Sequence, residues 1–205
     1  MYPLQAASKK THQTKGRFLI LLVCLFFYLF MVPLIHELVH LKFLLDLFFS
    51  ILLITVLYTV SLKARGLVIG LVFAVPMIVS IWLNHFVPLK VFGAGAYGFA
   101  VFFIAYAIWV ILRFILSQNT ITGDIIYASV AVYLLIGLLW ALLYAIFNFL
   151  APGSFSAPDL PIDQQTLMFA YYSFITLTTL GYGDITPLAR WAVSLSALEA
   201  VIGQL

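Results

Sequence analysis

Apolar residues along this chain fall in long unbroken runs rather than in stripes. Residues 18–35, 43–60, 66–86, 91–117 and 124–150 are each almost wholly apolar, and a shorter run covers 187–205. A helix rises ~1.5 Å per residue, so a hydrocarbon layer ~30 Å thick needs about 20 residues, more or fewer with tilt and mismatch. The pattern therefore predicts six membrane-spanning helices, the last of them short. Two polar stretches interrupt it. Residues 1–17 hold Lys9, Lys10, Lys15 and Arg17 among Ser, Thr and Gln, too little apolar surface to pack, and read as a tail. Residues 151–161 carry Pro152, Gly153, Pro158 and Pro161 and read as a turn-rich loop. After them, 163–176 suits a helix capped by Asp163, well short of the ~20 residues a crossing needs. It is expected to enter the membrane and stop. Irregular backbone at that depth survives only where protein buries it or where it lines a water-filled cavity.

The residues that follow this half-length helix are Thr178-Thr179-Leu180-Gly181-Tyr182-Gly183-Asp184. Gly181 and Gly183 accept left-handed backbone angles that a Cβ resists. Alternating left- and right-handed residues turns successive carbonyls to one side. Four such segments around an axis would stack rings of carbonyl oxygens from Thr179, Leu180, Gly181 and Tyr182, able to replace the hydration shell of a cation. One chain supplies a quarter of each ring, which predicts a homotetramer.

The heptapeptide resembles the filter signature of the potassium-channel superfamily, usually TVGYG followed by Asp. The order helix, re-entrant helix, filter, helix over about 124–205 resembles that superfamily's pore domain, in its bacterial-type form with six helices and one pore loop. The resemblance implies K+ as the permeant ion, no organic cofactor and no enzymatic step. It implies that Thr179 offers both carbonyl and hydroxyl at the inner end of the filter, that Leu180, Gly181 and Tyr182 offer carbonyls, and that Gly183 completes the ion-binding segment. Thr178, Asp184, Tyr171 and Tyr172 would support it. The Tyr182 ring would point away from the ions and pack against Tyr171 and Tyr172, which stand where many relatives carry two tryptophans. Asp184 would accept a hydrogen bond from the Tyr171 hydroxyl or raise the cation concentration at the mouth. Some relatives place a carboxylate on the pore helix where this chain has Ile175, and Leu180 replaces the usual β-branched Val or Ile. The C-terminal carbonyls of the pore helix would face the central cavity and favour a cation there.

In number, the first four spans are similar to the sensor domain of six-helix voltage-gated channels. The fourth helix of such a sensor carries a ladder of Arg or Lys, whereas here Arg113 stands alone. Steep voltage gating takes about 3–4 charges per subunit, so weak voltage dependence is expected.

Composition agrees with the run lengths. The chain of 205 residues is 65% hydrophobic and 8% charged, against about 25% charged in a soluble domain, which excludes a soluble protein. The net charge of +3 comes from basic residues at the ends of apolar runs, a topology signal rather than a nucleic-acid surface. With the N-terminus in the cytoplasm, Lys9, Lys10, Lys15, Arg17, Lys63, Arg65 and Arg113 lie inside and Lys42, Lys90 and Arg190 outside, in keeping with the positive-inside rule. The loop 151–161 and the outer end of the filter then face outward, across the cell membrane. Cys24 lies within an apolar run and reads as packing. Gly66 and Gly70 give the small-xxx-small spacing of closely packed membrane helices, and Pro76 is expected to kink its span. Gly93, Gly95 and Gly98 match G-x-G-x-x-G without the strand a dinucleotide site needs.

Two further features carry chemistry. Glu199 is the one acid deep in the last span, and an intramembrane ionisable residue is a functional candidate by default. It is a candidate cavity cation site, or sits behind the filter paired with a polar neighbour, or is a protonated buried acid. His36, Glu37 and His40 match H-E-x-x-H, in which two histidines one helical turn apart bind zinc. That motif supports a second class of function, an intramembrane zinc metalloprotease, or a weak external metal site. Asp46 lacks the glycine and proline context of such enzymes' second motif.

The expected fold is an all-α membrane protein with six transmembrane helices, and a re-entrant pore helix and filter between the fifth and sixth. It divides into a cytoplasmic tail at 1–17, a four-helix membrane domain at 18–117 and a pore domain at 118–205. Within the pore domain the outer helix covers 124–150, the pore helix 163–176, the filter 177–184 and the inner helix 187–205. That inner helix spans about 28 Å and ends without a basic flank, so either the sequence is a fragment or the inner gate is unusually short. The functional expectation is a potassium-selective channel, with a weakly selective cation channel as the alternative.

Overall fold

The structure is a computed structural model that describes residues 16–36, 42–60, 64–86, 90–156 and 162–205, with side chains over 16–31, 47–59, 66–83, 97–156 and 165–205. The described residues form helices α1 (Arg17–His36), α2 (Lys42–Val60), α3 (Ala64–Phe86), α4 (Lys90–Leu116), α5 (Gly123–Leu150), α6 (Ile162–Leu177) and α7 (Arg190–Gln204). A two-residue strand pair, β1 (Phe155–Ser156) and β2 (Thr186–Pro187), joins the loop after α5 to the approach to α7.

Among the described residues, three helices contain windows long and apolar enough to cross a membrane: Gly66–Leu83, Tyr97–Leu116 and Gly123–Leu150. Arg17–Met31 and Leu47–Thr59 are shorter apolar stretches among the described residues. Pro76 lies inside α3, its carbonyl accepting from Ser80 Oγ at 2.7 Å. Gly70 sits where the Leu57 side chain of α2 would meet an added Cβ, the close approach that its spacing from Gly66 predicts.

Helices α1 to α4 pack into a bundle that α5 closes. Each gives one narrow stripe to the shared core: Phe18, Leu21 and Leu25 of α1, Leu52, Leu53 and Val56 of α2, and Phe103, Ala107 and Ile111 of α4. Ala128 and Ala131 of α5 are fully buried in the same core, and their small side chains let the helix backbones come close. The opposite faces remain apolar but exposed, as at Val23, Phe30, Val72 and Phe102. Such surfaces suit lipid.

The ends of four helices meet on one side of the bundle. Gly16 N–H donates to Asp124 Oδ1 at the start of α5, Arg17 lies over the Tyr58 ring of α2, and Phe18 stacks on Phe114 of α4. Asp124 stands in the first turn of α5, where a carboxylate complements the helix dipole.

The inner helix starts later than the apolar run suggests. Pro187 belongs to β2, paired with Phe155, and α7 begins at Arg190. A proline lacks the N–H a strand ladder would use and is tolerated on such an edge. The amides of Leu188 and Ala189 both donate to the Ser154 carbonyl, which holds the chain extended for a further two residues before the helix can start.

Candidate functional site

The site is built on the end of α6. That helix has 16 residues, about 24 Å, and its first turns are tied to the bundle. Thr166 Oγ1 donates to Tyr97 OH of α4 at 2.8 Å, and Asn148 Nδ2 of α5 donates to Gln165 Oε1. The side chain of Asp163, the expected cap, lies outside the described residues.

Helix α6 stops at a Schellman closure. The Thr179 amide donates to the Thr176 carbonyl at 2.9 Å and the Leu180 amide to the Ile175 carbonyl at 2.8 Å, the paired bonds that terminate a helix when the next residue turns left-handed. That residue is Thr179, at φ 59°, the one non-glycine with positive φ among the described residues. A β-branched residue there is strained and persists only where its surroundings hold it. The holding contacts are visible. Thr179 Oγ1 donates to the Thr178 carbonyl at 2.7 Å and accepts from Gln204 Nε2 at 3.4 Å, while Gly181 N–H adds a second donor to the Ile175 carbonyl.

Beyond Thr179 the handedness alternates. Gly181 has φ 51° and Gly183 φ 80°, while Leu180 and Tyr182 between them keep negative φ. All residues from Thr178 to Asp184 are exposed in the single chain. The carbonyls of Phe174, Ile175 and Thr176 are taken up by amides of the following segment. In this chain, then, the last turn of α6 anchors residues 178–181.

At the outer end, Asp184 uses both carboxylate oxygens. Oδ2 accepts from the Tyr171 hydroxyl at 2.8 Å and Oδ1 from its neighbour's amide, Ile185 N–H, at 3.1 Å. The bond to Asp184 raises the Tyr171 phenol above its ordinary pKa, because that bond is lost when the hydroxyl ionises. The three tyrosines of the expected cuff lie in different surroundings within the single chain. Tyr172 is buried among Tyr144, Phe155 and Phe169 and hydrogen-bonded to Ser196 Oγ at 2.7 Å. Tyr182 is 66% exposed and forms no ring pair with Tyr171 or Tyr172 within the chain. The aromatic wall around Tyr172 fills the space behind α6, so the ring of Tyr182 is left on the open side.

Ile175 is buried and brings no polar group to the space behind residues 178–184. An acid reaches that region from α7 instead. Glu199 is enclosed by α5, α6 and α7, with Tyr144 OH donating to Oε2 at 2.6 Å and Ser173 Oγ at 2.5 Å from Oε1. These partners and its burial are those of an enclosed side chain rather than of one on an open surface. Ser173 and Tyr144 are neighbours that the sequence reading missed; each is one of several hydroxyl-bearing residues on its helix, so no local signal singled it out. One turn beyond Glu199, Gly203 lies against the Leu177 carbonyl, where an added Cβ would stand 1.9 Å from the oxygen.

The zinc motif lies beyond what the structure describes: Glu37 and His40 are outside the described residues, as are the side chains of His36 and Asp46.

No curated protein and no solved structure matches the chain. A family model described as an ion channel matches residues 120–205, the stretch that holds α5, α6, the alternating segment and α7. With apolar helices able to cross a membrane beside it, the segment 120–205 is an ion-channel domain.

Proposed function

We propose that this protein is a potassium-selective channel in which four copies of the chain surround one pore and the backbone of Thr179, Leu180, Gly181, Tyr182 and Gly183 binds the ions. One observation carries the reading: positive φ at 179, 181 and 183 alternates with negative φ at 180 and 182. A strand with that alternation directs successive carbonyls to one side, the arrangement that replaces the water around K+. The exposure of Leu180 (56%) and Tyr182 in the single chain is consistent with a surface that neighbouring copies cover.

In this reading α6 is re-entrant and the chain crosses the cell membrane six times, with residues 1–17 and the α4–α5 connection in the cytoplasm. The meeting of Gly16, Arg17, Tyr58, Phe114 and Asp124 on one side of the bundle supports placing these ends on the same side of the membrane. The division into a tail at 1–17, a membrane domain at 18–117 and a pore domain at 118–205 follows. K+ exchanges water for carbonyl oxygens at the filter and is displaced from site to site by the next ion. No covalent step and no organic cofactor take part.

Flux into liposomes holding the purified protein tests the proposal. K+ and Rb+ should enter with Na+ excluded, and Gly181→Ala, which puts a Cβ on a residue at φ 51°, should abolish entry. Equal Na+ and K+ entry would leave the weakly selective cation channel in its place, and an impermeable wild type would end the channel reading.

A further inference from the structure

Behind the filter, α5, α6 and α7 enclose a carboxyl group that the conduction path does not use. Glu199 is fully buried. Its Oε1 lies 2.5 Å from Ser173 Oγ of α6, and its Oε2 accepts from Tyr144 OH of α5 at 2.6 Å. Ser173 Oγ is also 2.8 Å from the Gly137 carbonyl of α5. Among the described residues these two hydroxyls bond Glu199, the Tyr172 phenol lies near, and no cation acts on the carboxyl.

Counting protons constrains this cluster. A serine hydroxyl donates once, yet Ser173 faces two oxygens that an ionised Glu199 would leave as acceptors only. If the Ser173 proton points to Gly137, the short contact to Oε1 lacks a proton. If it points to Oε1, the contact to Gly137 lacks one. A carboxylic acid resolves both. Tyr144 O–H then serves Oε2, the acid proton serves Ser173 Oγ, and Ser173 O–H serves the Gly137 carbonyl. Every donor has an acceptor, and no unpaired charge is left in the apolar interior, where it would be costly.

We propose that Glu199, as a neutral acid, is a positioning residue that locks α7 to α6 and so sets the shape of the filter. Its placement suits that role. Ser173 lies two residues before Ile175, whose carbonyl holds the amides of Leu180 and Gly181. Further along α7, Gly203 seats on the Leu177 carbonyl and Gln204 reaches Thr179 Oγ1. A shift of α7 therefore acts on α6 and the filter at three successive points, of which Glu199 is the buried one.

The inference rests on the channel reading, and two independent readouts separate their fates. Infrared difference spectra between wild type and Glu199→Gln need no conduction: the wild type should show the C=O stretch of a protonated carboxyl that the variant lacks. A carboxylate band lost in its place would overturn the neutral acid even if the protein conducts. In liposome flux, Glu199→Gln keeps a donor and an acceptor at the two oxygen positions and should hold K+ over Na+ discrimination within about twofold of wild type. Glu199→Ala and Ser173→Ala should lower it by about tenfold, the effect of leaving a buried hydroxyl or carbonyl without its partner. Wild-type discrimination in either alanine variant, or a Gln variant as impaired as the Ala variant, would overturn the proposal. Should Glu199→Ala fail to assemble, Ser173→Ala carries the comparison. If the wild type passes no ions, the channel reading falls, and the infrared band still decides the state of the acid.

Discussion

Gly203→Ala is expected to disable conduction although Gly203 lies outside the filter. A Cβ at 203 would stand 1.9 Å from the Leu177 carbonyl oxygen, 2.8 Å from the carbonyl carbon and 3.1 Å from the Cα. Carbon-to-carbonyl-oxygen contacts settle at ~3.3–3.6 Å, so about 1.4 Å of separation has to be found. All three atoms are backbone, and no rotamer change supplies it. Either α7 withdraws from α6, or the last turn of α6 moves with the amides of Thr179, Leu180 and Gly181 bonded to it. Alanine is favoured over glycine within a helix by at most ~1 kcal/mol, whereas overpacking costs ~1–3 kcal/mol. The clash therefore wins, and a net loss of ~1.4 kcal/mol already means about tenfold in an equilibrium. Rb+ uptake by liposomes should fall by at least about that factor, and the thermal midpoint of the purified assembly should drop. Gly98→Ala in α4, whose Cβ would meet nothing within 4 Å, is the control and should keep its uptake and midpoint. Unchanged uptake and midpoint in Gly203→Ala would refute the packing argument.

Three other outcomes are expected. Phe155→Ala removes a buried ring set edge-on to Tyr144, Phe169, Tyr172 and Trp191; denaturation in detergent should show a loss of ~3–5 kcal/mol, the usual cost of truncating a buried Phe, and a negligible change would mean the ring cluster is not the brace of the outer loop. Tyr171→Phe deletes the bond to Asp184 and should hasten the decay of K+ current during sustained conduction, whereas an unaltered decay would assign Asp184 a purely electrostatic role. The conductance–voltage relation should be shallow, because beyond Lys90 at its start α4 carries Arg113 alone, in its last turn and over Trp109; a slope worth about 3–4 charges per subunit would contradict this.

The helices were legible in the sequence because a bilayer imposes a length and a composition on anything that crosses it. The apolar run at 18–35 differs from α1 by one residue at each end, and the run at 124–150 differs from α5 by one residue at its start. The half-length helix and the glycine pair at 181 and 183 were readable for the same kind of reason, since chain length and the absence of a Cβ are local properties. Thr179 was not readable. Its side chain argues against φ 59°, and it takes that angle because α6 closes onto it and Gln204 of α7 meets its hydroxyl. The start of α7 was decided by pairing with Phe155, far back in the chain. Sequence marked Glu199 as an anomaly and left its surroundings open. Its partners are 26 and 55 residues away, beyond the few residues over which helical periodicity carries information. Only the meeting of α5, α6 and α7 brings those hydroxyls to the carboxyl, and burial then requires that each of them be satisfied.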